Sequence, residues 1–529
     1  MKTNTFLALL IVLLSYSHSY GQSISESALK NGQKLSSLIN ILDLIYLEDI
    51  DIDDLTDKAM ANILKELDPH SSYLTKEEMK ESTEMFSGNF EGIGIEFNVL
   101  RDTIIVVNTI AGGPSEKVGL RSGDRIIMVD TTSVVGVSKS EVPGFLRGEK
   151  GTIVKLTIIR KGQTKPLEFT IVRDKIPLQS LDAAYLIDKG VAFIKLNRFM
   201  ATTTEEFTTA LDSLSRLEPI NGVILDLRGN GGGQLDQAIS LSSQFLPEGS
   251  LVVYTEGRTA GRYNMNSVRG GMYTQGALVV LIDESSASAS EIVAGAIQDW
   301  DRGVVIGRSS FGKGLVQRLI PLQDTSAVQI TMARYHTPSG RYIQRPYELG
   351  DNEGYYANYL KRFTKERLAN PDSLFSDIPD SLKYKTLVKG RTVYGGGGIN
   401  PDVFVAADTT RNSAFWSEAI AKGLFNDFVA DYFDKNQKKL RRSYPTLSKY
   451  IQEFSTKDGA FEELYNHVVA QGIEDKDKEE SSSVEPFMSL QLKALIAQKL
   501  WNTNAYFEVI NSEDNQIIKT ALEYINKNK

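Results

Sequence analysis

The sequence contains no cysteine. That excludes disulfides, thiolate zinc sites and a lipid anchor carried on cysteine. Histidine is scarce as well, with 4 residues, and beyond His18 near the amino terminus only His70, His336 and His467 remain as candidate imidazoles. No block of clustered Lys and Arg is present, and the formal net charge is −8. Phosphate neutralisation requires such a block, so a nucleic-acid-binding surface is not expected. Long apolar runs are missing too. The run Phe6 to Leu14 is too short to span a bilayer, and no later segment is long and apolar enough to do so.

What is present reads as an exported, soluble, multidomain chain. Its 529 residues are too many for one ordinary domain, and 41% hydrophobic with 24% charged residues is ordinary for a globular protein. Met1-Lys2 precedes the apolar run, and Ser19 and Gly21 fit the −3 and −1 positions of a cleavage site. Residues 1–21 are therefore expected to be a signal peptide, leaving the product free in the periplasm or outside the cell.

From about Ser25 to Lys65 the apolar residues Leu35, Leu38, Ile39, Leu42 and Ile45 recur at helical spacing, giving an amino-terminal helical segment over 22–81. Leu67 to Leu74, with Pro69 inside it, breaks the pattern. A β-rich segment over 82–175 follows. Its strand-like runs are Gly94–Val99, Thr103–Thr109, Asp124–Val129, Val154–Ile159 and Leu167–Val172, the last two joined by a turn at Lys161-Gly162. Over 176–407 strands and helices alternate: strand Gly222–Leu227, helix Leu235–Phe245, strand Ala277–Ile282, helix Ser290–Gln298, strand Gly303–Ile306. That is an α/β rhythm, in which ligands sit at the carboxyl ends of the strands. The remainder, 408–529, is helical and charged, and Glu474 to Glu485 reads as a solvated loop.

Chemistry concentrates at three turns of the α/β part. Leu281 to Ile292 runs from an apolar strand through Ser285, Ser286, Ser288 and Ser290 into a helix. A hydroxyl there is exposed beside unpaired helical N–H groups, although a cap role for the serines, with Ser290 and Glu291 serving the helix start, explains the same residues. The histidines are poorly placed to serve as base, so a neutral lysine is the alternative to a Ser-His-Asp triad. Lys313, among glycines and apolar residues just after Ile306, has the setting that lowers a lysine pKa. Gly307 to Lys313 also matches the start of a phosphate-binding loop, but Gly314 stands where the metal-binding hydroxyl belongs. Asp226-Leu227-Arg228-Gly229-Asn230-Gly231-Gly232-Gly233 leaves backbone N–H groups open, as an oxyanion hole requires. The competing readings are a dinucleotide site, which lacks its third glycine at Gln234, and a tight turn with Arg228 in a structural ion pair.

Taken together these residues resemble the carboxy-terminal processing (tail-specific) protease family, over most of the chain up to about Val405. The resemblance rests on Leu67-Asp68-Pro69-His70-Ser71-Ser72-Tyr73-Leu74, the glycine turn, Ser286-Ala287-Ser288-Ala289-Ser290-Glu291-Ile292, Phe311-Gly312-Lys313-Gly314, Tyr335 to Gly340, and Gly395 to Asp402. It implies an α+β multidomain chain whose α/β core is of the ββα, crotonase-like type, and a serine endopeptidase. By the family pattern Ser288 is the nucleophile, Lys313 the general base 25 residues on, and Gln317 the residue that orients the lysine. Arg228, Asp299 and Glu291 match supporting positions. The oxyanion donors are the N–H of Ala289 and of one residue among Gly231, Gly232 and Gly233. No metal or cofactor is implied. Residues four apart lie about 6 Å apart on a helix but roughly 13 Å apart along a strand, so the Lys313–Gln317 pairing needs a local bend, for which Gly314 is the candidate.

The β-rich insertion resembles a PDZ domain. Gly92, Ile93, Gly94 and Ile95 look like its carboxylate-binding loop, and Gly113 to Asp124 resembles its helix and following turn. The resemblance implies protein substrates held by their C-terminal tails, and the apolar lining of the pocket predicts a preference for nonpolar tail residues. An adaptor protein or a second copy of the chain is a candidate further partner. The reading from a different class is a noncatalytic periplasmic scaffold that binds tails and keeps the protease core as a relic.

Overall fold

The near-continuous apolar runs of the α/β part are central strands covered on both faces. In the computed structural model a sheet takes the order Leu181–Asp188, Val191–Leu196, Gly222–Asp226, Ala277–Ile282, Val304–Gly307, Val403–Phe404. The first pair is antiparallel and the rest are parallel. The structure describes residues 24–528 except 101, 111, 161, 259–260, 365–377, 409–412 and 514. The expected signal peptide and Lys161 of the expected turn therefore lie outside the described residues.

Alternate residues of these strands feed two cores. Ile194, Val223, Leu225, Leu278, Val280 and Val305 pack with helices Thr203–Ser215, Leu235–Ser242 and Ala289–Asp299. Phe193, Ile224, Val279, Leu281, Val304 and Ile306 pack with Ile517, Ile518, Ala521 and Ile525 of the last helix, Gln516–Lys527. The carboxyl-terminal segment is thus a layer of the α/β core, which extends beyond the expected boundary at 407. Ile525 is fully buried, and its Cγ2 lies where a Cβ on Gly222 would come within 2.5 Å. Ile525→Ala is expected to cost about 2–5 kcal/mol through the cavity it leaves, read as a lower unfolding midpoint in a denaturant titration.

A second, antiparallel sheet has the order Ser72–Leu74, Ala327–His336, Leu251–Gly257, Gly261–Asn266, and Leu315–Pro321 also pairs with Ala327–His336. The broken stretch at 67–74 is therefore a short strand, paired Ser72 to Gln329. The inserted domain begins after helix Lys76–Ser87, which crosses the expected boundary at 82 and ends at Gly88 in a left-handed cap. Its sheet runs Ile95–Leu100, Thr103–Thr109, Arg125–Val129, Ile153–Ile159, Leu167–Val172, around a core that includes Ile104, Ile126, Val154 and Ile158.

Beyond Ser413 a helical cluster packs around Trp416, Phe425, Tyr450 and Leu492. Glu474–Glu485 is not the solvated loop expected from its charges. Lys478–Ser483 is helical, Val484 is buried, and Trp416 donates its indole N–H to Ser481 O. Its charges mark one face of a docked segment, because an aromatic partner distant in sequence covers the other. Asn504 of this region caps the open edge of the core sheet, pairing with both the N–H and the C=O of Ala184.

The amino-terminal unit ends at Glu66 and holds helices Glu26–Ile45 and Ile52–Lys65, capped by the side chains of Ser25 and Asp51. The chain leaves the first helix at Tyr46, which is extended. No described helix is long and apolar enough to cross a membrane.

Candidate active site

The serine turn has the form of a nucleophile elbow, a strand-to-helix corner that exposes one hydroxyl. Ser288 sits at φ +54°, ψ −112°, at the cap position of helix Ala289–Asp299. A non-glycine residue held there stores about 1–3 kcal/mol of strain and persists only where its surroundings fix it. The alternating serines divide the work. Ser286 donates to Leu227 O at 2.8 Å and Ser290 to Asn230 O at 2.9 Å, tying the corner to the glycine turn. Ser288 is half-exposed between its buried neighbours Ala287 and Ala289.

Lys313 lies in the irregular stretch that leads into strand Leu315–Pro321. A phosphate-binding loop opens a helix, so the strand that follows Lys313 removes that reading. Two buried groups stitch this stretch to the serine corner. Glu291 accepts from Ser288 N (2.8 Å) and Lys313 N (2.9 Å) on one oxygen, and from Gly312 N (2.7 Å) and the Ser310 hydroxyl (2.5 Å) on the other. Tyr335, buried, directs its hydroxyl to Lys313 O, with Ser288 O at 3.4 Å. Burial pushes the Glu291 carboxyl above the usual carboxylate range against these hydrogen bonds. Burial likewise drives the Lys313 ammonium below its ordinary value, against the weaker pull of Glu291 and Asp68.

The glycine turn closes the other side. A Cβ on Gly232, which is at φ +98°, would come within 2.7 Å of Ser288 Cβ and Ala287 O, so only glycine allows this approach. Its N–H is given to Asn230 Oδ1 at 2.9 Å, which removes it from the candidate oxyanion donors. Gly231, Gly233 and Ala289 have no such acceptor among the described residues. Arg228 grips Asp226 with two guanidinium nitrogens at 2.8 and 2.7 Å and so braces the turn from behind.

Gln317 lines the cleft with Ser288 and Lys313, but its hydrogen bond goes to Thr331, its cross-strand partner, at 3.2 Å. The bend sought at Gly314 is made in two steps, by starting the strand only at Leu315 and by a bulge between Val316 and Gln317. Asp299 does not support the site directly. It is at the far end of helix Ala289–Asp299, about 16 Å along its axis from Ser288. There it pairs with fully buried Arg341 at 2.5 Å and caps Ser339 N at 2.9 Å.

Sequence reasoning missed Tyr335 as a clamp, and the chain of contacts from Asp68 through His70 and Tyr355 to Gln344. His70 faces Tyr355 at 3.3 Å, Tyr355 accepts from Gln344, and Gln344 Oε1 accepts Gly314 N at 2.8 Å. Their motifs were visible, but nothing in one sequence says that position 70 meets 355. The cleft, about 510 Å³, has apolar Ile292, Leu315 and Leu319 in its wall together with Arg198, Gln234 and Gln329. Among the described residues no cluster of His, Asp or Glu is arranged to hold a metal ion.

In the inserted domain, Ile93 is buried and its C=O accepts from Ser115 N and Oγ. The N–H groups of Ile93 and Gly94 have no acceptor among the described residues. Gly94 is at φ +73°, and a Cβ there would come within 2.9 Å of Ile176. Gly92 ends a strand paired to Asp174, and Ile95 begins the edge strand of the sheet, open to an added strand.

Comparison with known proteins follows the same divisions. Residues 190–349 match the profile of peptidase family S41, 92–171 that of the PDZ domain, and 415–502 a family of unknown function. The chain is 38% identical over 335 residues to the carboxy-terminal-processing protease of Bartonella bacilliformis, covering 61% of this chain and 76% of that one. It is 34% identical over 339 residues to the carboxy-terminal processing protease CtpA of Bacillus subtilis, covering 64% and 72%. The solved PDZ domain of a carboxy-terminal protease from Vibrio cholerae, in complex with peptide, is 39% identical over 17% of this chain and 99% of that one, with a TM-score of 0.17.

Proposed function

Because the chain belongs to the carboxy-terminal-processing protease family and is a serine peptidase with a PDZ domain, we propose that it is an exported endopeptidase. In this reading it takes proteins by their C-terminal tails and cuts them with Ser288 and Lys313. The observation that carries the reading is the shared clamp: Glu291 binds the backbone of both residues, fixing a strained nucleophile beside a half-buried lysine.

The chemistry follows from those positions. Neutral Lys313 takes the Ser288 proton as Oγ attacks the scissile carbonyl. The oxyanion that forms is met by the N–H of Ala289 and that of Gly231 or Gly233. Collapse returns the proton from Lys313 to the leaving amine and leaves an acyl-enzyme on Ser288. Lys313 then deprotonates a water that releases the acid. Gln317 orients the lysine. The direct test uses a protein substrate with an apolar tail and mass analysis of the enzyme. Wild type is expected to degrade it and to show acylation on the Ser288 peptide. Undiminished degradation by Ser288→Ala would sink the assignment, and an inert wild type would favour the scaffold.

Tail capture is assigned to the N–H groups of Ile93, Gly94 and Ile95, which supply donors for a carboxylate, with Gly92 leading into the loop and the edge strand after Ile95 pairing with the tail. A labelled peptide with a free apolar carboxyl terminus is expected to bind about tenfold or more tighter than its carboxamide, because a charge-assisted set of hydrogen bonds is lost on amidation. Equal anisotropy titrations for the two would remove the carboxylate from the recognition. Export rests on Met1-Lys2, the apolar run and the small residues Ser19 and Gly21, and is checked by the amino-terminal sequence of the secreted product.

A further inference from the structure

The motif Leu67–Leu74 takes no part in the chemistry above, yet its carboxylate is buried and linked through Thr331 to Gln317 of the cleft. Asp68 is 7% exposed. It accepts from His70 N (3.0 Å), Ser71 N (3.1 Å), the Ser71 hydroxyl (2.6 Å) and the Thr331 hydroxyl (2.8 Å). Burial pushes its carboxyl up, but the bonds from Ser71, Thr331 and His70 together hold it below the ordinary value, so it is ionised at neutral pH.

An ionised carboxylate only accepts, so the one hydroxyl proton of Thr331 is committed to Asp68. The Thr331 oxygen can then only accept from its other neighbour, Gln317 Nε2, at 3.2 Å. A side-chain amide presents a donor at one end and an acceptor at the other. With Nε2 turned to Thr331, the carbonyl Oε1 is left for the cleft that Gln317 shares with Lys313.

We propose that Asp68 is a positioning residue for the reaction: through Thr331 it sets the sense of the Gln317 amide, so that Oε1 rather than Nε2 is offered to Lys313. The proposal rests on the Ser288–Lys313 reading. Once Lys313 holds the serine proton it has only donors, which a carbonyl oxygen orients and an amide N–H repels. The charged and titratable groups around Lys313 are Glu291, Asp68, His70, Tyr335 and, in the same cleft, Arg198, and Arg345 faces His70 in turn. His70 is pushed down to about 4 by burial, with the Lys313 charge adding, and so stays neutral beside the base.

The test compares Asp68→Asn, Thr331→Val, Thr331→Ser, the Asp68→Asn/Thr331→Val pair and Lys313→Ala in the full chain. The amide introduced by Asp68→Asn keeps the shape of the carboxylate but can donate to Thr331, freeing its hydroxyl to turn the Gln317 amide over. Asp68→Asn and Thr331→Val are each expected to lower kcat about 10- to 100-fold, as loss of an outer hydrogen-bond partner does, with KM little changed. Thr331→Ser should restore wild-type turnover, and the pair should be no slower than Thr331→Val alone, since both cut one chain. Asp68→Asn should also move the acidic limb of the pH–rate profile to lower pH, because it removes an anion near the base. Wild-type kcat in Asp68→Asn, losses that multiply in the pair, or a Thr331→Ser enzyme as slow as Thr331→Val overturns the proposal, while an inactive Lys313→Ala leaves the dyad standing. A Lys313→Ala enzyme with wild-type turnover overturns the dyad, and the proposal with it.

Discussion

Lys313→Ala is expected to lower kcat by about 10⁴-fold or more, to the level left by binding and the oxyanion donors alone. The side chain sits in an irregular stretch fixed by backbone bonds to Glu291 and Gln344, so its removal leaves the loop's anchors in place. The unfolding midpoint should therefore change little while turnover collapses. Its protonation gives a second signature. Burial lowers the Lys313 pKa below 10.5, and the proposed mechanism needs the neutral amine. The kcat/KM profile should rise with pH through the lowered value and level off before the range of an ordinary lysine. The sign for stability follows from the same shift. Between the folded value and the unfolded one the unfolded chain binds the extra proton, so stability rises with pH across that window. A profile still climbing steeply near pH 10.5, or turnover retained in Lys313→Ala, would assign the base elsewhere.

Glu291→Gln is the second large effect, and it should damage both stability and rate. The carboxylate is fully buried and accepts from the backbone of Ser288, Gly312 and Lys313 and from Ser310. An amide of the same size must turn a donor toward one of those pairs of donors, leaving buried N–H groups without acceptors. Breaking a buried charged network in this way costs about 3–5 kcal/mol. The strained corner at Ser288 and the lysine loop lose their common anchor, so kcat should fall even where the protein remains folded. Thermal unfolding and turnover measured on the same preparation check this. A variant as stable and as active as wild type would mean that Glu291 is not the clamp.

The glycine turn, the serine corner and the lysine loop were legible because each is a local device. A strand, a run of small residues and a helix start specify an exposed corner whatever surrounds them, and the strand and helix ranges around Ala277–Ile282 and Ala289–Asp299 follow from apolar runs of the right length. The acidic stretch at 474–485 was misread for the opposite reason. Its charge pattern describes the face turned to water, while the face turned to Trp416 depends on a residue far away in sequence.

By itself the sequence determined the absence of thiol chemistry, the scarcity of imidazole that turns attention to a lysine, and the residue types at each turn. Only the tertiary structure decided which groups meet. It gave Glu291 and Tyr335 to both Ser288 and Lys313, spent the Gly232 amide on Asn230, and moved Asp299 to a distant ion pair. It also covered one face of the core sheet with the last helix. The reason is physical: backbone preferences and hydrophobic period act between neighbours, whereas a carboxylate's value as a clamp depends on which donors packing brings within about 3 Å of it.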